Sequence, residues 1–130
     1  MRSFSSLSEQ EILALAIALE EKDARIYGDF ADGLKADAPA TTTVLREMLA
    51  EEDGHRHRLI ELYRQRFGEH IPLIRRQDVK GFLQRKPVWL VRPLGLSAVR
   101  KQVELMELES KRFFETADSV VHDHGLRGQP

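Results

Sequence analysis

Apolar residues recur along this chain at alternating steps of three and four, the period of a helix with one buried face, and a carboxylate interrupts the series in each of three segments. The first series is Leu13, Ile17, Ala24, Tyr27, Ala31 and Leu34, with Glu20 in its one gap. Ser8 followed by Glu11 is a capping-box signature, so a helix is expected to begin there. Ala38-Pro39 should end it, because proline disfavours helical geometry in its predecessor, and a threonine of Thr41-Thr42-Thr43 is expected to cap the next helix. That second helix carries Leu45, Met48, Leu59 and Leu62 on one stripe, with Glu52 and His55 as the missing members, and Gly68 stops it.

Between residues 69 and 95, Pro72, Gly81, Pro87, Pro93 and Gly95 exclude a continuous helix, and a long crossover is predicted. It includes a helical turn at Val79 to Leu83 and an apolar cluster, Val88 to Val91, that demands burial. Ser97 opens a third helix, in which Val103, Ser110, Phe114, Ala117 and Val121 repeat the spacing around Glu107. Glu107 precedes Arg112-Phe113-Phe114 as Glu20 precedes Arg25-Ile26-Tyr27, a faint sign of helix duplication. Residues 122–130 lack periodicity and should fray. The expected architecture is all-α: one domain over 1–130, with three long helices.

The length of 130 residues supports one core. A formal net charge of -1 predicts no partner, but its distribution is uneven. Acidic helices precede a basic stretch from Ile71 to Lys101, the connector and the start of the third helix, carrying Arg75, Arg76, Lys80, Arg85, Lys86, Arg92, Arg100 and Lys101. That connector lacks the interleaved aromatics of a nucleic-acid surface, and no nucleic-acid partner is expected. The absence of cysteine excludes disulfides, zinc ribbons and iron–sulfur clusters and permits a cytosolic setting. The first residues lack the apolar core of a signal peptide, and no apolar run approaches the roughly 20 residues that cross a bilayer.

Carboxylates on the inward stripes of their helices are costly to bury ionised and would repel one another if they converged without a cation. Glu52 and His55, three apart, lie side by side on a helix, where an oxygen and an imidazole nitrogen can address one metal. Di-iron carboxylate bundles combine single glutamates on two helices with a Glu-x-x-His pair on each of the other two. Glu20 and Glu107 match the single glutamates, and Glu52 to His55 matches one pair. The remaining histidines, His57, His70, His122 and His124, read as surface residues.

The run Ala16-Ile17-Ala18-Leu19-Glu20-Glu21 with Tyr27, and LAEEDGHRHRL in the second helix, resemble the rubrerythrin branch of the ferritin-like superfamily. With EHIPLIRRQDVKGFLQRKPVWLVRPLGL, the resemblance narrows to the erythrin-type domain of membrane-bound ferritins, which precedes a membrane segment of the vacuolar-iron-transporter type. It covers the chain to about Asp118. It implies a cytosolic domain, membrane-tethered if the chain is part of a larger protein, that binds iron at a di-iron centre with manganese or zinc as substitutes, oxidises ferrous iron, and serves iron storage, detoxification or export. Glu20, Glu52, His55 and Glu107 carry over as ligands, Glu104 and Glu51 as additional ones, and Tyr27 as an aromatic that hydrogen-bonds a ligand carboxylate. The departure from the family is the missing second Glu-x-x-His and fourth helix: either they belong to a longer protein of which this chain is a part, or, the favoured reading, a second copy in a homo-oligomer, a dimer foremost, supplies them. The alternatives are a peroxide reductase, which without cysteine needs an external reductant, and a helical assembly module that binds no metal.

Overall fold

A computed structural model describes residues 3–74, 79 and 95–128, with side chains as far as Ser119. A 3-10 turn, Phe4–Ser6, leads into α1, Glu9–Leu34; α2 is Pro39–Phe67 and α3 is Leu96–Gly128. The expected all-α bundle of three long helices is what forms. The expectations for Val79 to Leu83 and Val88 to Val91 lie outside the described residues, save that Val79 itself is buried.

The capping box forms as read: Ser8 Oγ accepts from the Glu11 amide at 3.1 Å, and the Ser8 amide donates to Glu11 Oε1 at 3.0 Å. Ser8→Ala is expected to cost about 1 kcal/mol, read as a lower urea midpoint at unchanged m-value. The start of α2 differs from expectation. Ala38 is the N-cap and Pro39 the first helical residue, so the threonines fall inside the helix. Proline lacks the N–H that a cap would satisfy and arrives with its φ already helical. Thr42 Oγ1 instead donates to the Ala31 carbonyl at 3.3 Å, tying α2 to α1, and Thr43 Oγ1 donates to Pro39 at 3.2 Å. Gly68 stops α2 with a φ of 92°, a left-handed conformation that glycine adopts without Cβ strain. The helix of α3 runs on through Gly128, past the point at which the sequence predicts fraying. An interior glycine costs a helix only about 1 kcal/mol, and an unbroken i→i−4 ladder absorbs that.

Helices α1 and α2 pack antiparallel along their lengths, while α3 touches α1 more sparingly. A Cβ on Gly28 would lie 3.0 Å from Leu49 Cδ1, so the missing side chain lets the two helices approach. The core divides in two. One cluster gathers Leu7, Ile12, Leu15, Tyr63, Ile74, Val79 and Phe113. The other gathers Ile26, Tyr27, Phe30, Leu34, Leu45, Val99 and Met106.

Two of the inward stripes are rotated from their predicted positions. On α2 the residues turned inward run Leu45, Leu49, Glu52, Arg56, Leu59 and Tyr63, and Leu62 is exposed. On α3 the buried series is Val99, Gln102, Met106, Glu109, Phe113 and Ala117; Phe114 is 39% exposed and Glu107 lies on the surface. The apparent duplication therefore fails in three dimensions, since buried Tyr27 would correspond to exposed Phe114.

Candidate metal centre

Each helix passes from one apolar cluster to the other, and at each crossing it presents polar side chains. On α1 these are Glu20 and Asp23, between Leu19 and Ile26; on α2 they are Glu52, His55 and Arg56, between Leu49 and Leu59. On α3 the residue is Glu109, between Met106 and Phe113. A polar belt thus divides the core at one level.

Within the belt, one donor atom from each of Glu20, Glu52 and His55 lies within 4.8 Å of the others. Antiparallel packing of α1 on α2 sets Glu20 opposite the Glu52/His55 pair, and one helical turn brings the members of that pair side by side. His55 Nδ1 lies 3.8 Å from Glu20 Oε2. That is too long for a hydrogen bond, but it suits two donors that each reach about 2 Å toward a shared cation.

The burial of the three residues is graded. Glu20 is 3% exposed, Glu52 is half-buried, and the side chain of His55 is 47% exposed. Glu20 Oε2 is out of contact with solvent and accepts no hydrogen bond. An unbonded buried carboxylate oxygen costs several kcal/mol at full charge, and a cation between Glu20, Glu52 and His55 removes that cost. The donor set of two carboxylates and an imidazole suits iron, manganese or zinc. The half-exposed ring leaves the site open on its α2 side.

The other expected ligands stand apart from this group. Glu107 and Glu104 are both exposed and line an apolar groove between α2 and α3 with Val44, Met48, Val99 and Val103. Glu51 is exposed on α2, about 100° around the helix from Glu52. Tyr27 is 2% exposed within the second cluster, two turns along α1 from Glu20. His57 is exposed, with Nδ1 2.7 Å from the Asp53 carbonyl oxygen, and faces away from the site.

Sequence reasoning missed Asp23, Glu109 and Arg56. Asp23 and Glu109 are buried and, with Glu20, Leu19 and Ser110, line a small void between α1 and α3. The signal for Glu109 was its place in the Val99, Met106, Phe113 series, which competes with the Val103, Phe114 series read first. Arg56 is one turn beyond Glu52 on the same face.

The chain matches the family model for rubrerythrin over residues 11–125. No curated protein and no solved structure matches it.

Proposed function

The chain belongs to the rubrerythrin family, and on that premise we propose that it is an iron-binding domain whose centre begins with Glu20, Glu52 and His55 and which oxidises ferrous iron for storage, detoxification or export. The observation that carries this reading is the convergence of those three donors around a buried oxygen of Glu20 that accepts no hydrogen bond. Iron held there supplies one-electron redox chemistry, with dioxygen or peroxide as the oxidant. Glu20 contributes a fixed, solvent-free anion; Glu52 and His55, on one turn of α2, contribute a second carboxylate and a neutral nitrogen. The half-exposed imidazole would give ferrous iron, the substrate, access from solvent.

Three donors leave coordination positions unfilled, and a di-iron centre needs more ligands than one copy brings together. We assign the remainder to a second copy in a homodimer, with Glu107 and Glu104 reaching the shared centre from the exposed face of α3 and Glu51 as a further donor. Tyr27, which lies in the second apolar cluster two turns from Glu20, is proposed to support a carboxylate outside the Glu20, Glu52 and His55 group. Exposed Val44, Leu105 and Leu108 give that assembly apolar surface to cover. Among the described residues no helix is long and apolar enough to cross a membrane. A cytosolic position, alone or joined to a membrane iron transporter, accords with the reading.

The test is metal analysis of protein loaded anaerobically with ferrous iron. Glu52→Ala and His55→Ala are each expected to lower bound iron per chain by half or more, with helical circular dichroism unchanged. Unchanged stoichiometry in both variants would refute the ligand assignment. Comparing ferrous oxidation rates under dioxygen and under peroxide separates an oxidase from a peroxide reductase.

A further inference from the structure

The belt that carries the proposed ligands also holds a buried cationic nitrogen. Arg56 Nε is removed from solvent and donates no hydrogen bond, although the side chain as a whole is half-buried and its outer nitrogen, Nη2, lies 3.6 Å from Asp53 Oδ1 at the surface. Arg56 follows Glu52 by four residues, which puts the two on one face of α2, one turn apart. The guanidinium is thus anchored outside by Asp53, while its buried Nε sits at the level of the belt, one helical turn from Glu52.

We propose that Arg56 is the resident counter-charge of the metal-free site: it stabilises the buried carboxylates when no metal is bound and, by repulsion, sets how tightly the site takes a cation. The physical basis is that an arginine stays protonated at any physiological pH. Its charge therefore lowers the cost of the buried anions permanently, and a second positive charge entering the same belt must work against it. The proposal rests on the metal-binding reading above, but its first arm tests Arg56 without metal.

That arm is a double-mutant cycle in chelator, with urea unfolding of the wild type, Arg56→Gln, Glu20→Gln and the double variant. Arg56→Gln destabilises the protein when residue 20 is glutamate and does so markedly less when it is glutamine. An equal loss in both backgrounds would mean that Arg56 acts only through packing and Asp53, which overturns the proposal. If Arg56→Gln fails to fold in chelator, recovery in the Glu20→Gln background is the extreme form of the expected coupling, and failure to recover overturns it.

The second arm titrates manganese(II) by calorimetry. Arg56→Gln is expected to bind about tenfold tighter than the wild type, the scale for charges several ångströms apart at a partly screened site. Arg56→Lys, which keeps the charge, should stay within about threefold of the wild type. Unchanged affinity in Arg56→Gln, or equal tightening in both variants, would overturn the role. A wild type that binds neither manganese nor iron while the cycle shows coupling would refute the metal-binding reading and leave the counter-charge standing.

Discussion

Glu20→Gln is expected to abolish metal binding and, in the same molecule, to raise the stability of the metal-free protein by about 1–3 kcal/mol. The two effects have one origin. Glu20 is 3% exposed, and its Oε2 accepts no hydrogen bond. In the metal-free state the carboxylate has lost its hydration without full replacement, and an amide of the same shape carries no charge to desolvate. In the loaded state the same oxygen is the deepest of the three converging donors, and an amide neither offsets the cation's charge nor binds it as strongly. Chemical denaturation in chelator reads the first effect, and metal stoichiometry after dialysis reads the second. A variant less stable than the wild type without metal would show that Glu20 serves the fold, and retention of iron would remove it from the ligand set. Saturating metal should reverse the ranking, because a ligand that binds only the folded state adds stability by mass action, about 2.7 kcal/mol at a hundredfold excess over its dissociation constant.

The largest loss of stability is expected at Tyr63. Its side chain is fully buried in the first cluster, and its ring lies 5.4 Å from that of Phe67. Its hydroxyl accepts from Gln10 Nε2 at 2.8 Å and donates to the His70 carbonyl at 2.6 Å. Tyr63 therefore joins the start of α1, the end of α2 and the chain leaving Gly68. Tyr63→Ala should cost about 3–5 kcal/mol, from lost burial and an unfilled cavity together. Tyr63→Phe keeps the ring and should cost about 1–2 kcal/mol, for the two hydrogen bonds. Urea unfolding of both variants separates packing from polar anchoring. A Tyr63→Phe loss equal to that of Tyr63→Ala would place the energy in the hydroxyl. Neither substitution touches the belt, so metal stoichiometry should survive in any Tyr63→Ala protein that remains folded.

Sequence periodicity was sufficient for the helices but not for their faces. A helix advances 100° per residue, so a stripe of apolar residues interrupted by polar ones fits two adjacent registers almost equally well. On α1 a register through Glu20 competed with one through Glu21, and packing buries the former and leaves the latter half-buried. On α2 both Met48–Leu62 and Leu49–Tyr63 satisfy the spacing, and the choice between them decides whether Arg56 turns toward the core. On α3 the same ambiguity separates Glu107 from Glu109: the former follows Val103 and precedes Phe114, the latter follows Met106 and precedes Phe113.

The sequence by itself determined the three long helices, the capping box at Ser8, the stop at Gly68, and the pairing of Glu52 with His55, because each depends on residues within four positions of one another. Only the tertiary structure decided that Glu20 stands opposite that pair, that Glu109 is the buried acid of α3, and that Arg56 turns a nitrogen inward between two apolar clusters. Those facts depend on how far each helix is rotated about its own axis when it packs. That rotation is set by the summed burial of whole faces, including the close approach of Leu49 at Gly28, and no local spacing encodes it.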